Sequence, residues 1–157
     1  MTQQNITQQF IDTRQQFLNG LDGLTEQEIT QPQVEGEWTI KDIIGHLASW
    51  QELCLKLLIG QTTGKPYTPP DIPDGWNDKE AARKRSIPLD KIKKEFSSVF
   101  EEMLAETYVL TPKQWEQKIK MPWGELATIG EMLNGLAMHE EEHLKAIQKW
   151  LAKKSIC

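Results

Sequence analysis

The sequence holds three histidines, His46, His139 and His143, and all three fall beside or within apolar stripes rather than on polar faces. His139 and His143 are four residues apart. On a helix that spacing projects two side chains from one face with Cβ atoms ~6 Å apart, so both imidazoles reach one ion and a third from a facing helix completes a facial set. Three neutral imidazoles at ~2.0–2.1 Å leave a fourth position open, as in catalytic rather than structural zinc sites. Nickel, iron or copper accept the same donors. The competing reading is three separate core histidines, each satisfied by a backbone or carboxylate group. Burying three imidazoles without a shared ligand costs desolvation at each, which favours the metal.

His139-Glu140-Glu141-Glu142-His143 also matches H-E-x-x-H, the metalloprotease motif. Zincins take their third ligand from downstream, and LKAIQKWLAKKSIC after His143 contains no His, Asp or Glu. The third ligand must come from upstream, and the match is read as accidental. Glu140 and Glu142 flank the ligand pair and are candidates to orient an imidazole or accept a proton from water. Cys54, eight residues after His46, is a candidate ligand or nucleophile, although a buried Cys on a helix more often packs as a small apolar residue. Cys157 is terminal and is expected to fray. Trp38, Trp50 and Trp150 are expected in the core or at a bundle end, whereas Trp76 and Trp123 sit on connections where they could wall a pocket. Arg83, Lys84 and Arg85 form a basic cluster, expected as a solvated face, with an anion-holding role as the alternative.

The elements that position these residues are helical. Ile6, Phe10, Phe17, Leu21 and Leu24 recur at helical intervals and predict a first helix over about 3–21. Thr25 with Glu28 starts a short turn of helix, and Thr39 with Asp42 caps a second long helix over about 40–59, with Ile43, Leu47, Trp50, Cys54 and Leu57 on its stripe. Residues 60–76 hold four of the eight prolines and read as an extended segment, long enough at ~3.1 Å per residue to cross a bundle. Asn77 with Glu80 offers an N-cap for a short helix. Pro88 opens or kinks a third long helix through Leu89, Ile92, Phe96, Val99, Met103 and Leu110. Thr111, Pro112 and Gln114 mark another short start, MPWGELA a turn or brief extended piece, and Thr128 with Glu131 caps a last helix over about 129–152. The outcome is an all-α four-helix bundle. A crossing linker permits the third long helix to run parallel to the second without requiring it, and the depth of the histidines along their helices fits parallel and antiparallel arrangements equally.

With 157 residues the chain suits a single domain, 1–157, with one core. Hydrophobic residues at 38% and charged residues at 26% exclude a disordered tail, and no apolar run reaches the ~20 residues of a membrane span. A net charge of -5 argues against nucleic acid as a partner. MTQQNITQQF carries no secretory signal pattern and two cysteines form no disulfide framework, so a cytoplasmic location is expected.

WTIKDIIGHLASWQE, the pair in HEEEH and the MPWG turn before it resemble the DinB-like (YfiT-like) family of four-helix-bundle metal proteins, with W-x-x-x-D-x-x-x-H from Trp38 through Asp42 to His46 as the most specific part. WNDKEAARKRSIPLDKI further resembles the branch that includes colibactin self-protection proteins. The resemblance covers nearly the whole chain. It implies an up-down-down-up bundle with a long crossover between the second and third long helices, and His46, His139 and His143 as metal ligands. It also implies thiol-dependent transferase or isomerase activity, or metal-dependent hydrolysis.

The functional expectation is therefore an enzyme holding one divalent ion, zinc first and nickel second. A water, or a small thiol such as glutathione, bacillithiol or cysteine, is activated there for attack on a small electrophile. The alternatives are a protein that sequesters a small molecule without turnover, and a metal-stapled bundle. Tyr67, Ile72 and Trp76 in the connections leave a homodimer open.

Overall fold

Threonines set where the helices begin. In the computed structural model, which describes residues 2–156, α1 (Gln3–Gly20) is capped by Thr2 and α2 (Glu26–Thr30) by the reciprocal pair Thr25 and Glu28. The same reciprocal pairing opens α3 (Ile40–Thr63) with Thr39 and Asp42, and α6 (Pro112–Glu116) with Thr111 and Gln114. Thr128 and Glu131 exchange it again at the start of α7 (Ile129–Ile156). Each box satisfies two backbone N–H groups that the first helical turn leaves free. Between these lie α4 (Trp76–Lys84) and α5 (Leu89–Tyr108), the latter entered from Pro88. β1 (Ile119–Lys120) and β2 (Leu126–Ala127) make a two-stranded antiparallel hairpin around the MPWG turn.

Four boundaries differ from the sequence expectation, one of them the end of α5 at Tyr108, which leaves Leu110 beyond the helix. Helix α3 continues through Gly60 to Thr63 and ends at Gly64 in the left-handed conformation, φ 71°. Gly60 serves close approach: a Cβ there would meet the backbone N of Tyr67 at 2.9 Å as the chain turns back over the helix. The N-cap of α4 is Gly75 rather than Asn77, whose side chain instead accepts a hydrogen bond from Trp50 Nε1 at 2.9 Å. Helix α7 runs beyond residue 152 to Ile156. Cys157 lies outside the described residues.

Side-chain contacts fix the helix directions. Near the start of α3, Gly45 faces Ile92 early in α5, and near its end Thr62 bonds Glu106 late in α5, so the two run parallel. Ile6 of α1 meets Gly130 of α7, and Gly20 meets Leu144, so these two are parallel as well. His46 early in α3 lies against His139 in the middle of α7, while Gln61 late in α3 is bonded by Gln114, whose neighbour Trp115 packs on Gly130 at the start of α7. That pair is antiparallel. The architecture is an all-α four-helix bundle of up-down-down-up order, with the extended segment after Gly64 and α4 forming the crossover. No described helix is long and apolar enough to cross a membrane.

The core gathers Phe10 and Phe17 of α1, Ile43, Leu47 and Leu58 of α3, Ile92, Phe96 and Met103 of α5, and Met132, Leu133 and Ile147 of α7. Burial of each such side chain contributes ~1.5–3 kcal/mol. One ionic cluster lies among them. Arg14 of α1 is 4% exposed, and Glu140 of α7 is 3% exposed. The guanidinium donates to both Glu140 oxygens at 3.1 and 3.3 Å, to Gln51 Oε1 of α3 at 2.8 Å and to the Phe96 carbonyl of α5 at 2.9 Å. Tyr67, Ile72 and Trp76 are half-buried rather than free, and Trp76 packs edge-on to Trp50 with centroids 5.0 Å apart.

Removing one member of a buried ion pair strands the other charge in the core, at a cost of about 3–5 kcal/mol. Arg14→Met is expected to lower unfolding stability by that amount in urea titrations, and Arg14→Met with Glu140→Leu to recover most of it. Equal stabilities for the single and double variants would contradict the pairing.

Candidate metal centre

The local sequence around His46 builds half of the site. Trp38 precedes the extended N-cap Thr39, Asp42 closes the capping box and His46 follows one helical turn after it. The Trp38 ring lies 4.6 Å from that of His46 and 6.4 Å from that of His143. Trp38 therefore walls the histidines rather than filling a bundle end. Helix α7 supplies the other half, presenting His139 and His143 on one face.

The three imidazoles converge, with one ligand atom from each lying within 4.8 Å of the others. Nε2 of His139 is 2.9 Å from Nε2 of His46 and 3.1 Å from Nε2 of His143. Donors ~2.05 Å from a common tetrahedral centre stand ~3.3 Å apart, near these two separations, while the third pair lies wider, within 4.8 Å, so rotation of the rings would draw the three onto one ion. Proton counting supports the same conclusion. His143 Nδ1 lies 2.8 Å from Glu35, and a neutral ring that donates its proton there keeps a bare lone pair at Nε2. His139 Nε2 carries at most one proton when neutral and touches two nitrogens, so both approaches cannot be hydrogen bonds to a neutral, fully satisfied pair. A cation between the three resolves the conflict, and the donor set fits one.

Electrostatics keep two of these imidazoles neutral. Burial, followed by the charges of His139, His143 and Lys84, pushes His46 down to about 3. Burial, then His143, pushes His139 down to about 4. Neutral imidazole is the form that binds metal, so the environment holds the donors ready at neutral pH.

Glu35, which the sequence analysis did not single out, orients His143. It sits in a tight turn that bridges to Trp38, with Gly36 at φ 59°, and nothing local distinguishes it from other loop acids. Glu140 does not take that role: it points ~100° around α7 from His139 and is occupied by Arg14 and Gln51. Glu142 is exposed and touches none of the three imidazoles. Cys54 is buried in the hydrophobic core, outside the histidine cluster, and burial pushes its thiol pKa up, which removes it as a nucleophile. The basic triplet is not one solvated face. Arg83 pairs with Glu80 at 2.8 Å, buried Lys84 donates to the Gly45 carbonyl at 3.2 Å, and Arg85 reaches Asp42 at 3.7 Å.

The histidines open onto a cavity of about 750 Å³. Trp38, Trp50 and Trp123 line its walls, Gly135 and Leu136 lie along α7, and Glu125 and Glu131 complete it toward the start of that helix. Trp123 thus does wall a pocket, joined by Trp50. Among the described residues only the three histidines form a candidate metal group, with no fourth protein donor.

A parallel-paired helical bundle with three imidazoles at the base of an open pocket defines a class of proteins suited to hold a divalent ion beside a small molecule. The model of the DinB superfamily matches residues 9–147, and the chain belongs to that family. Putative metal-dependent hydrolase OB0413 of Oceanobacillus iheyensis is 24% identical over 136 residues, covering 86% of this chain and 77% of the relative. The mycothiol-dependent maleylpyruvate isomerase shares the fold with a TM-score of 0.81 and 14% identity over 94% of this chain, which spans 61% of the isomerase chain. The colibactin self-resistance protein ClbS, solved in complex with a dsDNA, shares it at a TM-score of 0.77 and 14% identity, with 95% and 94% covered.

Two measurements test the site. Glu35→Gln is expected to weaken metal affinity ~10–100-fold by loosening His143, with an unchanged helical spectrum. The second follows from the lowered His46 and His139 values, near 3 and 4 against about 6.5 when unfolded. Below pH ~6.5 the unfolded chain binds protons that the folded chain refuses, so metal-free stability falls with pH at up to ~1.4 kcal/mol per unit for each histidine. Denaturation at pH 7.5, 6 and 5 should show this slope, and His46→Phe should remove about half of it, leaving the contribution of His139.

Proposed function

We propose that this chain is a metal-dependent hydrolase acting on a small electrophilic molecule, with His46, His139 and His143 holding one divalent ion, zinc first and nickel second. The observation that carries the reading is the convergence of three Nε2 atoms, two pairs 2.9 and 3.1 Å apart, at the base of a cavity of about 750 Å³. An ion held by these three histidines would lower the pKa of a bound water or thiol, for water toward ~7, and polarise an electrophile beside it. The chain's own residues do the remainder. Glu35 fixes the tautomer of His143, Trp38 covers His46 and His143, and Trp50, Trp123 and Leu136 exclude water around the substrate. A metal-stapled structural bundle is disfavoured because structural zinc sites are closed by four protein ligands, and three are present here.

The second reading is a thiol-dependent transferase, supported by the likeness to an isomerase named as mycothiol-dependent. The lining argues against anionic thiols of the glutathione kind, since Glu125 and Glu131 face the cavity and no Lys or Arg does. The same acidity disfavours a dicarboxylate such as the isomerase's maleylpyruvate. For a nucleic-acid partner of the sort seen with ClbS, the net charge of -5 is unfavourable.

Elemental analysis of the purified protein should find about one divalent ion per chain, lost in His46→Ala and His139→Ala. With cobalt in the site, hydrolysis predicts a visible spectrum that titrates near neutrality and ignores added thiols. A sulfur-to-cobalt charge-transfer band with glutathione, bacillithiol or cysteine would instead establish the transferase reading.

A further inference from the structure

One stripe of α7 organises the cavity. Glu131, Gly135, His139 and His143 follow at intervals of four and all four line it. The eight residues from Glu131 to His139 separate the acidic end of the stripe from the imidazoles by ~12 Å. Gly135, between them, lies in mid-helix, where glycine weakens the helix, and a Cβ there would meet nothing within 4 Å. The glycine is not required by packing, and its missing side chain leaves the floor of the cavity open.

The acidic end has a consistent chemistry. Glu131 uses one oxygen on its own cap, accepting from Thr128 N at 3.1 Å, and among the described residues neither Glu131 nor Glu125 has an ion-pair partner. Trp50 and Trp123 line the same cavity as these two exposed carboxylates. Trp50 and Trp123 have ring centroids 6.4 Å apart at 51°, and the Trp50 indole is held by its bond to Asn77. Indole faces carry negative potential and attract cations within ~6 Å of the ring centre. No described residue lining the cavity is Lys or Arg. Carboxylates and indole faces with no basic partner complement one kind of group.

We propose that the end of the cavity formed by Trp50, Trp123, Glu125 and Glu131 recognises the cationic, amine-bearing end of an elongated apolar molecule, placing its other end along Gly135 toward the histidines. The assignment of the histidine end as the reacting end rests on the metal reading of the previous section. Recognition of the cation does not, because no metal ligand takes part in it.

The test uses three probes of equal length and different charge, 4-phenylbutylamine, 4-phenylbutanol and 4-phenylbutyrate, titrated by calorimetry into the full chain after chelation of metal. The amine is expected to bind at least tenfold more tightly than the alcohol, and the butyrate more weakly than either. In the Glu125→Gln, Glu131→Gln double variant, in which Gln can still serve the α7 cap, the amine should fall to the affinity of the alcohol. Gly135→Leu should weaken binding of all three at least tenfold while thermal unfolding stays at or above that of the parent. Equal affinity for amine and butyrate, or an amine preference that survives the double variant, overturns the proposal. Repeating the titrations with one zinc ion per chain separates the two inferences: absence of metal binding would overturn the enzyme reading and leave the amine preference intact.

Discussion

The buried contact between Arg14 and Glu140 constrains everything else in the bundle. Moving a guanidinium and a carboxylate out of water costs several kcal/mol per ion, and only near-complete hydrogen bonding offsets it. Arg14 meets that condition by drawing on all four long helices: the Glu140 carboxylate, the Gln51 side chain and the Phe96 carbonyl, with its flat face 3.4 Å from the Phe96 ring centre. Gln51 closes the cluster by donating to Glu140 at 3.1 Å. Apolar contacts alone tolerate sliding of one helix along another, whereas these bonds are lost by a shift of ~1.5 Å, one residue of helix rise. The cluster therefore sets the register of α3 against α7, which brings His46 level with His139.

Adjacency in sequence turns that register into a site. Glu140 and His139 are neighbours on α7 and point ~100° apart around its axis, one into the ionic cluster and the other toward the cavity. Anchoring the first fixes the second. The turn before α3 does comparable work from outside the bundle, since Glu35 holds the Nδ1 side of His143 and Trp38 covers His46. The imidazoles are thus restrained by rigid helices behind and by a short turn beside them. Such support is what a metal site needs if its donors are to stay aimed at one point.

Much of this was legible in the sequence because local chemistry dictated it. Thr39 with Asp42 and Thr128 with Glu131 marked the starts of the helices that carry the histidines, and the four-residue spacing of His139 and His143 fixed their shared face. What escaped was tertiary. Glu35 is an ordinary loop acid until the fold brings His143 to it, more than a hundred residues on. Glu140 reads as a candidate to orient an imidazole because a carboxylate beside two ligands suggests a role there, whereas the fold gives it to Arg14 and Gln51. A better signal was present: Arg14 interrupts the apolar stripe between Phe10 and Phe17, and Glu140 interrupts the one between Leu136 and Leu144. Two opposite charges at core phase on different helices point to a buried pair. Gly60 misled in a similar way, reading as a helix end when its absent Cβ makes room for Tyr67.

The polarity of α7 follows from its one-face spacing combined with its length. A helix that presents Glu131, Gly135, His139 and His143 along one stripe lays out a carboxylate, an open space and two imidazoles in a line, at distances fixed by the helix rise rather than by flexible side chains. The stripe costs stability at two places, since a glycine inside a helix weakens it and the buried imidazole of His139 is held neutral against its ordinary tendency to protonate in mild acid. Neither cost benefits the fold. Both fall on the cavity stripe of α7, while Glu140, ~100° around the axis from His139, joins the residues that hold the bundle together. Stability-costing residues gathered along one stripe beside a cavity accord with the proposed ligand site, where the compensating energy would come from what binds there.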